Sequence, residues 1–394
     1  MKNVIGTPAR GESFYPRNHE IRKIVAKLDD GNNLNISAPR RVGKTSILYG
    51  LMDQGIGGYT YTYIDTEDIE TESEFFRRVQ KEVLRTEAIR NSRRLKGLLE
   101  SGHKYLSKVK AIKLLGQGVE FAEEAAVADS KEDLINLLSG LEIENSRGIV
   151  ILMDEFPQTV QNIIDKNIAD LSSVRKFLQA NREVRQHPEI NQKVRFVMTG
   201  SIGLNHTVSQ VGMTAFINDL NSVEVGQLNM EDAMTFLEEL FQPKGIIAQD
   251  VTKQYVVQKI GWLIPFHIQL LVQEIFSLCR PGSVIENDLI DRAFEAIIQQ
   301  RNENHFNHYY SRLKRQFKDR ELAFASNLLD FLAVRASIGK AAIRDMSVKY
   351  ELEEKWRGIV EILIYDGYIV NDSYDQYRFN SPVVRMWWKR FICN

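Results

Sequence analysis

A short apolar run, Leu34 to Ile36, leads straight into Ser37-Ala38-Pro39-Arg40-Arg41-Val42-Gly43-Lys44-Thr45-Ser46, and a segment of helical character follows. A strand that turns into a helix through such a loop aims successive backbone N–H groups, and the positive end of the helix, at one point. An anion belongs there. Amides from Val42 to Ser46 form the cradle, Gly43 permits close backbone approach, Lys44 reaches the β- and γ-phosphates of a nucleotide, and the Thr45 hydroxyl completes a Mg²⁺ shell. Ala38 stands where the pattern G-x-x-x-x-G-K-[ST] has its first glycine. Its Cβ requires the turn to avoid strongly positive φ at that position.

A Gly-Lys-Thr triplet alone arises by chance, so the second half of the reading comes from Ile149-Val150-Ile151-Leu152-Met153-Asp154-Glu155. A continuous apolar run marks a central parallel strand covered on both faces by helices. Ligands of such sheets bind at the carboxyl ends of the strands. Asp154 is placed to hold Mg²⁺ through its water shell, and Glu155 to orient or deprotonate the water that attacks a γ-phosphate.

The chain has 394 residues, more than one average domain, so two or three compact units are expected. Its 43% hydrophobic and 26% charged residues exclude wholesale disorder. A formal net charge of -1 argues neither for nor against nucleic acid, so an electrostatic partner site has to come from local clustering. Cys279 and Cys393 are the two cysteines, which makes a disulfide framework a poor expectation and a reducing cytoplasm the natural compartment. The first residues carry no apolar leader-like run, and no stretch approaches the roughly 18 to 20 apolar residues of a membrane span.

Along the chain, Ile21, Ile24, Val25 and Leu28 repeat at helical spacing and Gly31 follows as a stop. Gly55, Gly57 and Gly58 end the helix behind the loop, and Tyr59 to Asp65 reads as a second strand. The span 71–145 is mostly helical and highly charged, long for a minimal nucleotide fold, and reads as an insertion with a short strand or hairpin near Ala111 to Phe121. A polar helix at Val174 to Val184, a buried strand at Val194 to Ser201 and a last strand at Ser222 to Leu228 complete an α/β, αβα sandwich with a parallel sheet, residues 1–228. Thr199 or Ser201 lies where a hydroxyl can sense a γ-phosphate or position water. Helices at Met230 to Phe241, Val251 to Ile260, Pro265 to Leu278 and Glu286 to Gln300 form a second, helical unit, 229–300. From residue 301 to 394, helices at Glu321 to Arg335, Lys340 to Tyr350 and Glu353 to Tyr365, followed by two β-rich runs around Asn371-Asp372-Ser373, predict a winged helix.

These residues together resemble the STAND-like, archaeal-type branch of the AAA-related P-loop ATPases over nearly the whole chain. The resemblance rests on Phe14-Tyr15-Pro16-Arg17, the loop 38–46 with its paired arginines, Asp154-Glu155, Thr199-Gly200-Ser201-Ile202-Gly203-Leu204, Pro265, and Phe379-Asn380-Ser381-Pro382-Val383-Val384-Arg385-Met386-Trp387-Trp388. It implies an ATP/ADP-binding core, a helical lid, and a C-terminal winged helix that reports nucleotide state. It also implies that Tyr15, Pro16 and Arg17 pack beside the adenine and that Pro265 touches the base. The glycine usual two residues before that proline is Leu263 here, and proline opening a helix is equally plain first-turn chemistry.

For a transition-state arginine the candidates are Arg40, Arg41, Arg182 and Arg185. His305 and His308 lie three apart with no further ligand nearby, which reads as exposed surface histidines rather than zinc. Phe306, Tyr309, Tyr310, Trp387 and Trp388 read as core. Glu351, Glu353, Glu354 and Glu361 outnumber Lys355 and Arg357 on the expected recognition helix, so phosphate neutralisation is missing and the unit reads as a docking or packing module, with a protein partner. Arg85, Arg90, Arg93, Arg94, Lys96, Lys104, Lys108, Lys110 and Lys113 form a basic stretch, 85–113, that suits a polyanion. Two functions follow: a Mg²⁺-dependent ATPase switch, with oligomers an open possibility, or a non-hydrolysing nucleotide-binding adaptor or nucleic-acid-associated module.

Overall fold

Five parallel strands carry the first half of the chain. In the computed structural model, which describes residues 1–90, 130–141, 145–167, 170–201, 203–372 and 374–393, they are β1 (Asn33–Ser37), β2 (Thr60–Asp65), β3 (Ile149–Asp154), β4 (Val194–Gly200) and β5 (Leu220–Glu224), in the spatial order β2-β3-β4-β1-β5. The structure divides into two compact units, residues 16–38 with 44–225, and residues 1–15, 39–43 and 226–394.

In the first unit every residue of β3 is buried, as a continuous apolar run requires of a strand covered on both faces. β4 lies between β1 and β3 and brings Thr199 opposite Ile36 and Met198 opposite Met153. β2 pairs with β3 so that Asp65 sits beside Asp154. The last strand begins two residues earlier than its sequence pattern indicates and ends at Glu224; only Val225 continues the pairing, donating to the Ser37 carbonyl at 3.1 Å. The core beneath the sheet is aromatic: Phe75 packs edge-on against Phe76, Phe156 and Phe177 with centroids 5.0 to 5.7 Å apart. Helix Glu72–Arg85, capped by the Thr71 hydroxyl, buries Phe75, Phe76, Val79 and Val83, and Ser130–Gly140 buries Leu134, Leu137 and Leu138 in the same core. Both described ends of the expected insertion are thus built into this unit. The expected hairpin at 111–121 and the basic residues Arg93, Arg94, Lys96, Lys104, Lys108, Lys110 and Lys113 lie outside the described residues.

The second unit is helical, with a small sheet before its last helix. Helices Met230–Phe241, Asp250–Ile260, Pro265–Leu278 and Asn287–Ile297 come first, close to their expected bounds. Asn307–Gln316, Asp319–Arg335, Lys340–Val348 and Trp356–Tyr365 follow, with β6 (Ile338–Gly339), β7 (Ile369–Asn371) and β8 (Gln376–Phe379) in the antiparallel order β6-β8-β7, and a last helix Pro382–Phe391. The helical region and this small sheet are consistent with a lid and a winged-helix domain. Phe306, Trp387 and Trp388 are fully buried and Tyr309 nearly so, as a core reading of these aromatics requires. Among them Arg312 and Asp366 form a buried bidentate pair, Nε to Oδ2 at 2.9 Å and Nη2 to Oδ1 at 2.5 Å. His305 and His308 are not the exposed pair expected: both are half-buried, the His305 ring lying 5.6 Å from Phe266 and the His308 ring 4.3 Å from Tyr309. The apolar residues on either side of them draw the rings inward. Among the described residues no helix is long and apolar enough to cross a membrane.

Candidate functional site

The loop behind β1 takes its shape from two left-handed residues. They are Gly43, at φ 102°, and Arg41, at φ 67°. Ala38 takes no positive φ, so the Cβ that replaces the usual glycine causes no strain, and the demanding turn has moved to an arginine.

In the first unit the helix Lys44–Gln54 starts directly from this loop. Lys44 is buried and its Nζ donates to the Ala38 carbonyl at 2.9 Å, which curls the side chain back over the loop. Thr45 Oγ1 donates to Asp154 Oδ2 at 2.6 Å, joining the start of this helix to the end of β3. Asp154 is almost fully buried. Its Oδ2 also accepts from Tyr63 on β2, OH to Oδ2 at 3.2 Å, and its Oδ1 from the Thr199 hydroxyl on β4 and from the Glu155 amide at 3.2 Å. Three neighbouring segments and the next residue of the chain thus converge on one carboxylate. Burial, then the Asp154 charge, raises the Tyr63 phenol, which stays protonated.

Glu155 itself occupies the left-handed region, φ 56° and ψ 30°, at the start of helix Phe156–Lys166. That turn is strained for a residue with a Cβ, and such strain gathers at functional sites. Its Oε2 accepts from both the amide and the hydroxyl of Ser201, each at 3.0 Å. Gly200 makes room for this: a Cβ there would stand 2.4 Å from Pro157 Cδ, so the end of β4 can approach the helix after β3 only as glycine. The Thr199 hydroxyl is fully buried on Asp154, which leaves Ser201, of the two hydroxyls considered, as the one paired with the glutamate.

Within this unit Lys44, Thr45 and Ser46 sit on the first helical turn, and Asp154, Glu155 and Ser201 at the carboxyl ends of neighbouring strands. Pro16 is exposed, while Arg17 is buried and pairs with Glu20 at 2.6 Å. Arg185 is held by Asp219 through Nε at 2.8 Å and Nη2 at 2.9 Å, by Asn181 and by the Phe216 carbonyl, so it is a packing residue and not a mobile finger. Arg182 donates to the Ala215 carbonyl at 2.9 Å.

The residues expected near a base are divided between the units. In the second, Tyr15 packs on Phe236 with centroids 5.0 Å apart and donates to Asp232 at 3.3 Å; burial and that carboxylate push its phenol up to about 12. Pro265 opens helix Pro265–Leu278 at a first-turn position. Segment 39–43 belongs to this unit as well, with Val42 buried and the Arg41 guanidinium 4.5 Å above the Phe266 ring. Burial, reinforced by the Arg41 charge, lowers His305, His267 and His308, the last two to about 3.

The side chains bonded to Asp154 are all hydroxyls, and oxygen suits a hard cation such as Mg²⁺. Among the described residues no cluster of three His, Cys, Asp or Glu side chains offers a transition-metal cage. Sequence reasoning missed Tyr63, whose role depends on the β2–β3 register, and no spacing rule marks it.

No protein-family model and no curated protein matches the chain. Among solved structures, the chain is similar to a Walker-type ATPase of Pyrococcus abyssi, with a TM-score of 0.64 and 16% identity over 97% of this chain and 98% of that one. It is also similar to the ORC2 protein of Aeropyrum pernix in its ADPNP-ADP complexes, with a TM-score of 0.55 and 12% identity over 98% and 94%. At these identities the likeness is one of architecture, and with the strand order and loop described above it shows that the chain has the α/β fold of P-loop nucleotide-binding proteins.

Proposed function

We propose that this chain is a Mg²⁺-dependent ATPase that works as a nucleotide-driven conformational switch, with ATP and ADP as its ligands. The observation that carries the reading is the 2.6 Å bond from Thr45 to Asp154, which joins the residue after the loop lysine to the end of the buried strand. Thr45 and Asp154 would hold the metal, whose charge, when bound, neutralises the phosphate oxygens. Lys44 lies where its ammonium can exchange the Ala38 carbonyl for β- and γ-phosphate oxygens. Glu155 takes the proton of the attacking water, and Ser201 positions that carboxylate. The adenine preference, and the base-side roles of Tyr15, Pro16, Arg17 and Pro265, rest on the family resemblance. Nucleotide shifts a conformational equilibrium only through contacts made in one state, and the phosphate-loop segment 39–43, counted with the second unit, is the element through which it would act.

The core 1–228, the lid 229–300 and the winged helix 301–394 serve as the working division. The segment 351–361, where Glu351, Glu353, Glu354 and Glu361 outnumber Lys355 and Arg357, favours a protein partner over DNA. The two cysteines, both free, fit a reducing cytoplasm.

A second reading, a non-hydrolysing nucleotide-binding adaptor, draws on one observation: the Glu155 carboxylate is already engaged by Ser201. Calorimetry and phosphate release separate the two. Lys44→Ala loses tight ATP binding under both readings. Glu155→Gln binds ATP and stalls turnover under the first; equal and negligible phosphate release from the native protein and the variant selects the second.

A further inference from the structure

Asp154 has no room left. A carboxylate offers about four lone-pair positions, and among the described residues four donors fill them: Thr45 and Tyr63 on Oδ2, Thr199 and the Glu155 amide on Oδ1. A cation's water that donates to this carboxylate has to displace one of these. Thr199 is fully buried on β4, and the Glu155 amide belongs to the adjoining residue of the chain. Thr45, the metal ligand of the proposed site, keeps its place beside the cation. Tyr63 is the remaining donor, and at 3.2 Å its bond is longer than the 2.6 Å bond that Thr45 makes to the same oxygen. Its ring packs at a 43° tilt on Tyr49, centroids 4.7 Å apart, on the helix that follows the phosphate loop, so the phenol has a fixed place to swing from.

We propose that Tyr63 is a place-holder at the metal site: its hydroxyl occupies the Asp154 lone pair that a cation-bound water takes up, and it weakens divalent-cation binding by satisfying the carboxylate in the cation's absence. This deepens, and rests on, the reading of the site as a Mg²⁺-nucleotide site. Its physical basis is a competition. A buried carboxylate that loses a donor is left undersolvated, so removing the phenol raises the free energy of the metal-free site and leaves the metal-bound site nearly unchanged. The sign is therefore opposite to that expected of a residue that helps to hold the metal.

The test is a fluorescent ATP analogue titrated against the native protein and Tyr63→Phe, each in excess EDTA and in excess Mg²⁺. Phenylalanine keeps the ring on Tyr49, and a thermal melt verifies that the variant folds. The ratio of affinities with and without Mg²⁺ is expected to rise about three- to tenfold in Tyr63→Phe, the net worth of one hydrogen bond. An unchanged ratio makes the hydroxyl a packing feature, and a reduced ratio makes Tyr63 a holder of the metal's water; either overturns the proposal. Native protein that binds no analogue, or binds it equally with and without Mg²⁺, overturns the metal-nucleotide reading itself, and this inference with it.

Discussion

Glu155 and Ser201 are joined twice, because one carboxylate oxygen takes both the backbone N–H and the hydroxyl of the serine at 3.0 Å. The pair is possible because Gly200 lets β4 approach Pro157, and because Glu155 accepts a left-handed turn. Ser201→Ala removes the hydroxyl and leaves the amide, so on the proposed ATPase reading the base Glu155 loses part of its positioning and none of its chemistry. Steady-state phosphate release is expected to fall about tenfold in kcat with KM within about twofold, whereas Glu155→Gln falls by about 10² to 10⁴. An unchanged kcat in Ser201→Ala separates the serine from the reaction.

Gly200 offers a check on the scaffold behind that pair. A Cβ at this position meets Pro157 at 2.4 and 2.6 Å, so Gly200→Ala has to move the strand end or the helix. Overpacking of this kind costs about 1–3 kcal/mol. Chemical denaturation is expected to read that loss, and phosphate release to fall with it because Ser201 is the next residue.

The parts of this site that were legible in the sequence are those whose chemistry is written locally. The loop at Lys44 and the apolar run ending in Asp154 announce themselves, since a central strand buries every side chain and β3 does so. Contacts set by strand register were not legible. Tyr63 reaches Asp154 because β2 pairs with β3 so that Tyr63 stands opposite Leu152, with β3 and β4 between it and the strand that leads into the loop. Arg185, one of the four candidates for a transition-state arginine, is held instead by Asp219, 34 residues on. His308 read as exposed because a polar helix conceals which face packs, and that face is decided by Tyr309 and its neighbours. The turn strain moved from Ala38 to Arg41, which no pattern of residue types records.

The buried histidines make stability depend on acidity. His267 and His308 are lowered by burial to about 3, against about 6.5 in the unfolded chain. Between those values the unfolded state binds more protons, so folding stability rises with pH and is lost as pH falls from about 6.5 toward 3. The loss between pH 6.5 and 5 is about 1–2 kcal/mol for each histidine. Urea melts across this range are expected to show it, and His308→Asn to flatten the slope by about half; a native protein equally stable at pH 5 and 7 contradicts the assignment.

Asp366 neutralises Arg312 in the aromatic core of the second unit, where both side chains are nearly inaccessible. Asp366→Ala leaves a guanidinium buried without its counter-charge, at a cost of about 3–5 kcal/mol. The double replacement Arg312→Met with Asp366→Leu removes the charge together with its partner and is expected to recover most of that loss in the same denaturation experiment. If the double variant is no more stable than the single one, the pair contributes through shape and not through charge.

Arg41 combines a left-handed backbone with a guanidinium stacked on Phe266, and two effects of opposite sign meet in one residue. The backbone favours glycine by about 1 kcal/mol, because a Cβ is strained at this φ. The stack favours arginine by about 0.5–2 kcal/mol, more as water is excluded. Arg41→Ala loses the stack and keeps the strain, so it is expected to be the least stable variant; Arg41→Gly loses the stack and relieves the strain, and should fall close to the native protein. A double-mutant cycle of Arg41→Ala with Phe266→Leu isolates the stack, and a coupling of about 0.5–1 kcal/mol is expected from thermal melts. Since Arg41 adjoins Val42 and Gly43 in the phosphate loop, saturating ATP should change that coupling if nucleotide acts through segment 39–43. A coupling that ATP leaves untouched would mean that the loop and Phe266 pack together without transmitting anything.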